Sequence, residues 1–258
     1  MEEREYVLRH APIIYMDEKE PFSIKRVGYE VYEEDGAVSR SFNRKFDFLN
    51  YKGAVKVIEY AYYFDYDIQH LYDLEHIWVY LDEKDNLVGA EGSYHGRFLR
   101  ATLPEFTSVY KKDEMEEEYL VHDGTMARVI YPDGSRLIMY SQPGKHAMLA
   151  SPRLMHLYPE LFEACTRLAG ISGLDAPEEY LKDIHITEEE NRKVVEYIKE
   201  NFVFEPSMRF EENEIKHEDY IPLAELKWEI PGYIKKQLED IGVTPRSMNT
   251  RQCIVRED

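Results

Sequence analysis

Val55-Lys56-Val57-Ile58-Glu59-Tyr60-Ala61-Tyr62-Tyr63-Phe64-Asp65-Tyr66-Asp67 is rich in β-branched and aromatic residues that favour an extended chain. Alternation puts Ile58, Tyr60, Tyr62, Phe64 and Tyr66 on one face and Glu59, Ala61, Tyr63, Asp65 and Asp67 on the other. Outward from it, strands are predicted over 74–81, 87–95, 126–131 and 136–141, the last two flanking the hairpin signal Pro132-Asp133-Gly134-Ser135. Short strands divided by turn signals such as Glu34-Asp35-Gly36 and Asp85-Asn86 predict a two-sheet antiparallel β-sandwich rather than a parallel sheet. From about residue 152 the period turns helical. Leu154, Leu157, Leu161, Ala164, Cys165 and Leu168 form a stripe ended by Gly170, and Thr187-Glu188-Glu189-Glu190 opens a second helix with a capping box. A third is predicted from Pro222 to Leu238, interrupted at Pro231. The expectation is an α+β, mainly β fold: a sandwich core over 1–150, with a helical extension over 151–258 packed on it.

Composition narrows the functions. The 258 residues include 32 basic and 51 acidic side chains, a net charge of −19, with 43% hydrophobic residues to build a core. That balance disfavours nucleic acid and anionic membranes, which select clustered Lys and Arg; Lys111-Lys112 runs at once into the acidic stretch 113–118. No apolar run approaches the roughly 20 residues that span a bilayer, and Met1-Glu2-Glu3-Arg4-Glu5 has the wrong sign for a secretion signal. Cys165 and Cys253 form neither a disulfide framework nor a zinc knuckle. A soluble, cytoplasmic protein is expected.

The chemistry concentrates in Asp67-Ile68-Gln69-His70-Leu71-Tyr72-Asp73-Leu74-Glu75-His76, which joins two predicted strands. Asp73 and Glu75 share a face with Ile77, Val79 and Leu81, about 6–7 Å apart along the strand. Two carboxylates leading into an apolar face repel each other and lose solvation, unless a cation lies between them. Carboxylate oxygens with a nitrogen from His70 suit a divalent ion: Zn, Mn, Fe, Ca or Mg. The plain alternative is an exposed acidic turn, since a His-x-x-acid-x-acid pattern arises by chance about 0.35 times in a chain of this composition. Two later segments add weight. Ser93-Tyr94-His95-Gly96 and Gly144-Lys145-His146-Ala147 each place a histidine just past a predicted strand, where the loops of a sandwich gather.

His70-x-x-Asp73-x-Glu75 with upstream Asp67 resembles the central heptapeptide of the necrosis- and ethylene-inducing peptide-like proteins. Ser93-x-His95-Gly96 and His146 resemble that family's two later histidine segments, in the same order. Ala11-Pro12-Ile13-Ile14-Tyr15, followed by residues 18–22, is similar to the opening of related sandwich domains. The resemblance covers roughly residues 10–150. It implies a two-sheet sandwich with a divalent cation at one end, held by Asp67, His70, Asp73 and Glu75, with His95 and His146 close by. In that family the toxin members use the ion to engage sphingolipid sugar headgroups. Here Gln69, Leu71, Tyr72 and Leu74 replace the heptapeptide's Gly, Arg, second His and Trp, and the toxins' secretion signal and paired cysteines are missing. The expectation carried over is ion binding rather than toxin activity.

Other motifs read more simply. Gly144-Lys145 lacks the preceding glycine of a P-loop, neither HExxH nor GxSxG occurs, and Cys165 is a core residue of a helical stripe. His76 falls on the face of Trp78 and Tyr80, opposite the acids, as a packed neighbour or an outer support of the site. Three functions compete. The first is a metal-dependent hydrolase of a small polar ester, phosphate or glycan, with His95 or His146 moving the proton. The second is a module binding a sugar or headgroup through the ion, without catalysis. The third is a structural ion tying two strands together. The expected partner is a small polar molecule or sugar, with no nucleic acid and no membrane insertion.

Overall fold

The computed structural model describes residues 2–101, 126, 128–131, 134–157 and 163–246. The turn residues Pro132 and Asp133, residues 158–162 of the first expected helix, and Cys253 lie outside these. In chain order the elements are α1 (Glu3–His10), β1 (Ile13–Asp17), β2 (Arg26–Tyr32), β3 (Lys56–Tyr66), β4 (His70–Leu81), β5 (Leu87–Tyr94), β6 (Arg97–Arg100), β7 (Arg128–Tyr131), β8 (Gly134–Ser141), β9 (Met148–Leu149) and β10 (Gly173–Leu174). There follow α2 (Glu178–Leu181), α3 (Glu188–Asn201), β11 (Phe210–Asn213), β12 (Tyr220–Pro222) and α4 (Leu223–Asp240).

The protein is α+β and mainly β, with two sheets. The larger runs β12-β2-β3-β4-β5-β6, with β10 beside β4; the smaller runs β11-β1-β8-β7, with β9 beside β8. Antiparallel ladders dominate, as expected. Three parallel pairings make both sheets mixed: β1 with β8, β12 with β2, and β10 with β4. Each is a long-range pairing, which local alternation does not encode. Phe64 lies opposite Asp73 and Tyr62 opposite Glu75, fixing which side chains face the site. The sheets come close at Gly92, where a Cβ would lie 2.2 Å from the Met148 carbonyl oxygen and 2.7 Å from the Met139 side chain.

The larger sheet also has an outer layer. Trp78, Tyr80 and Val57 pack with Phe46, Phe48 and Tyr51 of the long β2–β3 connection, while Gly28 lies under Leu226 of α4. His76 is part of the first group, its ring parallel to Trp78 at 5.5 Å, and it is a packed aromatic neighbour. Burial lowers its pKa to about 4, so it is neutral.

Helix α3 starts as its sequence predicts. The Thr187 side chain accepts from the Glu190 backbone N–H, and the Glu190 side chain accepts from the Thr187 backbone N–H. The stripe from Leu154 does not form one continuous helix: Pro152–Leu157 is a 3-10 turn, and helical geometry after the undescribed residues covers only 163–164. Pro231 does not interrupt α4, which runs through it. Proline removes one helical hydrogen bond, a loss outweighed here by the buried stripe Leu223, Leu226, Ile230, Ile234 and Leu238.

Candidate functional site

The β3–β4 turn is built by Asp67. Its Oδ1 accepts from the backbone N–H groups of Gln69 and His70, both at 2.7 Å, closing a tight side-chain-capped turn. Two neighbouring segments fasten it. The Ile68 N–H donates to the Gly144 carbonyl at 2.7 Å, and the Gly170 and Ser172 N–H groups donate to the carbonyls of Ile68 and Gln69. The 142–146 loop is thereby laid against the acidic turn. Gly144 has φ +70°, and a side chain there would press on Cys165 and Ile68.

All six residues singled out from the sequence meet at this end of the larger sheet. His146 is fully buried: its Nδ1 donates to Asp73 Oδ2 at 2.8 Å, and its ring stacks on Phe64 with centroids 3.8 Å apart. Burial opposes charge on both partners. Their hydrogen bond and mutual attraction prevail, joined at His146 by the nearby Glu20 carboxylate, lifting His146 to about 10 and holding Asp73 below the usual carboxylate range. Glu75 differs. Burial, followed by the neighbouring Asp73 charge, pushes it up to about 8, although Ser93 Oγ donates to its Oε2. His70 donates from Nδ1 to the Tyr72 carbonyl at 2.7 Å, which turns its Nε2 toward Asp67 Oδ2 at 3.2 Å. His95 is at the exposed rim, its Nε2 donating to Gln142 Oε1 at 3.0 Å, and burial of the ring followed by the nearby Lys145 lowers its pKa.

Three participants were not anticipated. Glu20 receives the Gly144 N–H at 2.8 Å on one oxygen, while its other oxygen is 3.6 Å from His146 Nε2, too far for a hydrogen bond. Both of those facing atoms are buried and without a hydrogen-bond partner. Gln142 anchors His95. Lys145 matters most: its ammonium bonds Asp67 Oδ2 and lies in the field of Asp67, Asp73 and Glu75, which raise its pKa against the opposing effect of burial. Its one sequence signal is adjacency to His146; the acids it meets are far away in the chain. Three of the five non-glycine residues with positive φ among the described residues line the site: Tyr72, His95 and His146. Backbone strain therefore concentrates here.

The donors, carboxylate oxygens and imidazole nitrogens, have the chemistry of a divalent-ion site. Their arrangement is a different matter. Among the described residues, no group of three or more His, Cys, Asp or Glu side chains is set to hold a metal ion. Lys145 supplies the positive charge instead. A groove of about 760 Å³ lined by Tyr6, Glu30, Tyr32, Arg40 and Lys56 shares no residue with the cluster.

No family model matches the chain, and no curated protein matches it. Among solved structures it is similar to Necrosis and Ethylene inducing Protein 2 from the causal agent of cocoa's Witches Broom disease. The identity is 13% and the TM-score 0.26, covering 61% of this chain and 77% of that one. The resemblance is weak in overall identity. Among the described residues, no helix is long and apolar enough to cross a membrane.

Proposed function

We propose that the cluster at the β3–β4 turn is a divalent-cation site, and that the protein is a metal-dependent hydrolase of a small polar ester, phosphate or glycan. One observation carries this reading: among the described residues, four buried carboxylates, Glu20, Asp67, Asp73 and Glu75, face two buried cations, Lys145 and His146. With Glu75 pushed up to about 8, the set retains one surplus negative charge at neutral pH and two above it, in a place that solvates them poorly. The His70–Asp67 contact agrees with this, because Nε2 and Oδ2 are both acceptors unless a proton or cation joins them.

Asp67, His70, Asp73 and Glu75 would hold the ion, which when bound supplies Lewis acidity and an acidified water. The remaining roles belong to the chain itself. His95, neutral and at the rim, is placed to accept a proton, with Gln142 fixing its ring. His146, buried and stacked, positions Asp73 and is too enclosed to carry protons to a substrate.

The test is thermal-shift titration with Mn²⁺, Zn²⁺ and Ca²⁺ on the full chain and on D73N/E75Q, followed by screening of chromogenic esters, phosphates and glycosides. An ion-dependent stabilisation lost in the variant, with turnover lost in H95A, is the expected result. Equal behaviour of both proteins toward every ion sinks the assignment. A second reading is favoured by the lack of a preformed three-ligand group among the described residues: Lys145 alone neutralises the acids, and the cluster is structural.

A further inference from the structure

Trp228 is 81% exposed on the outer face of α4. The helix turns its apolar stripe, Leu223, Leu226, Ile230, Ile234 and Leu238, inward, and Trp228 lies on the opposite side. One turn before it stands Ala224 and one turn after it Gly232, both exposed, so the indole rises between two positions with almost no side chain. A Cβ at Gly232 would meet nothing within 4 Å. Glycine in a helix interior costs about 1 kcal/mol against alanine, and packing among the described residues gives no reason for it here. The same face carries two charges left out of the local pairing. Ion pairs of α4 engage Lys227, Glu229, Lys236 and Asp240, and among the described residues none engages Glu225 or Lys235.

We propose that the outer face of α4 is a docking surface for a second copy of this chain: two α4 helices pack antiparallel about a twofold axis, each Trp228 seated on Gly232 of the other copy. Antiparallel helices that set position 228 against 232 also set 225 against 235. Glu225 of each copy therefore meets Lys235 of the other, once on either side of the axis. A contact between identical surfaces requires a face that complements itself, and this one has a knob, a hollow and opposite charges at matching distances from the axis. Tryptophan is enriched at the energetic centres of interfaces, because it removes a large apolar area from water with few rotamers to freeze. The net charge of −19 on each copy opposes association. At about 0.15 M salt, screening over roughly 8 Å weakens that repulsion more than it weakens the close Glu225–Lys235 pairs. One helix from each copy buries less than the roughly 1,600 Å² of a standard interface, so the dimer dissociates in the micromolar range.

Sedimentation velocity of the full chain from about 5 to about 500 μM, the range in which so small a contact forms, should show monomer passing into dimer. Trp228→Ala should weaken the dimer by about tenfold or more and leave the melting temperature of the dilute protein unchanged, since the ring is in solvent in the single chain. Glu225→Lys and Lys235→Glu should each weaken association several-fold by setting like charges together, and E225K/K235E should recover most of it. Trp78, the other tryptophan, is fully buried, so acrylamide quenching reads Trp228 and should fall as dimer forms. A chain still monomeric at about 500 μM, or a dimer untouched by W228A, overturns the proposal. Single charge reversals without effect, or a double variant without recovery, overturn it as well, because the antiparallel register requires both.

Discussion

The imidazole of His146 lies flat on the ring of Phe64, with centroids 3.8 Å apart and planes within 5° of parallel. Phe64 is the β3 residue paired with Asp73 on β4, so one cross-strand pair presents both the ring that supports the histidine and the carboxylate that binds it. His146→Ala strips Asp73 of its buried donor and leaves a void over Phe64. Removing one partner of a buried pair costs about 3–5 kcal/mol, so urea denaturation should show a loss in that range. In H146A/D73N the charge left behind is also removed, and part of the stability should return; a double variant no more stable than H146A would show that the pair is uncoupled.

The metal-free chain should be most stable in mildly acidic solution. Glu75, raised to about 8 by burial and then by Asp73, contributes stability that is complete below about pH 4.5 and lost as pH rises through about 8. His146, raised to about 10 despite burial, contributes in the same sense, complete below 6.5 and lost toward 10. Asp73, held low by His146 against burial, opposes them only below 3.8, where its contribution disappears as pH falls. Urea midpoints in a chelating buffer should therefore change little from about pH 5 to 6.5, where His76, lowered to about 4, gains stability as Glu75 loses it, and fall from there to about pH 9. Glu75→Gln should lessen the fall between 6.5 and about 8 while sparing the alkaline limb. A profile rising from 6.5 to 9 would contradict this account of the buried charges.

Gly92 sets the spacing of the two sheets. A methyl group there would meet the Met148 carbonyl oxygen at 2.2 Å, and backbone cannot give way as a side-chain tip can. Gly92→Ala should cost about 1–3 kcal/mol or more, seen as a lowered melting temperature, because overpacking forces the layers apart. A wild-type melting temperature in this variant would mean that the sheets can slide.

The opposite sign is expected at Gly232. It lies inside α4, where an added Cβ meets nothing within 4 Å, so Gly232→Ala relieves the entropic cost of a helical glycine without a clash. Stability should rise by about 0.5–1 kcal/mol. A loss would place a strain in the helix at Pro231 that the packing conceals.

Much of this architecture can be read in particular residues. Alternation over 55–67 and the acids at 73 and 75 locate β3, β4 and the site face, because period-two patterning and burial act through near neighbours. Thr187 and Glu190 announce α3 for the same reason. What escapes is nonlocal. The parallel pairings depend on segments some 100 to 190 residues from their partners, and nothing within β10 or β12 names the strand it joins. Helix α1 is missed because its buried residues, Val7 and His10, form too short a stripe among charges. In the site, the histidines are legible as metal-type ligands. Lys145 reads only as a failed phosphate-loop lysine, since its acids come from a turn nearly eighty residues earlier.

The two late strands also set an order of events during synthesis. β11 pairs with β1 along Ile14–Asp17, and β12 with β2 along Val27–Tyr29, so each sheet waits for residues 210–222 to complete it. A ribosome-bound chain that has already made β1 to β9 carries two unpaired edges until those residues emerge from the exit tunnel. For that interval the nascent protein is open to pairing with other chains. Synthesis stalled within the last fifth of the sequence should therefore leave a product that aggregates, even though its acidic turn has long been made.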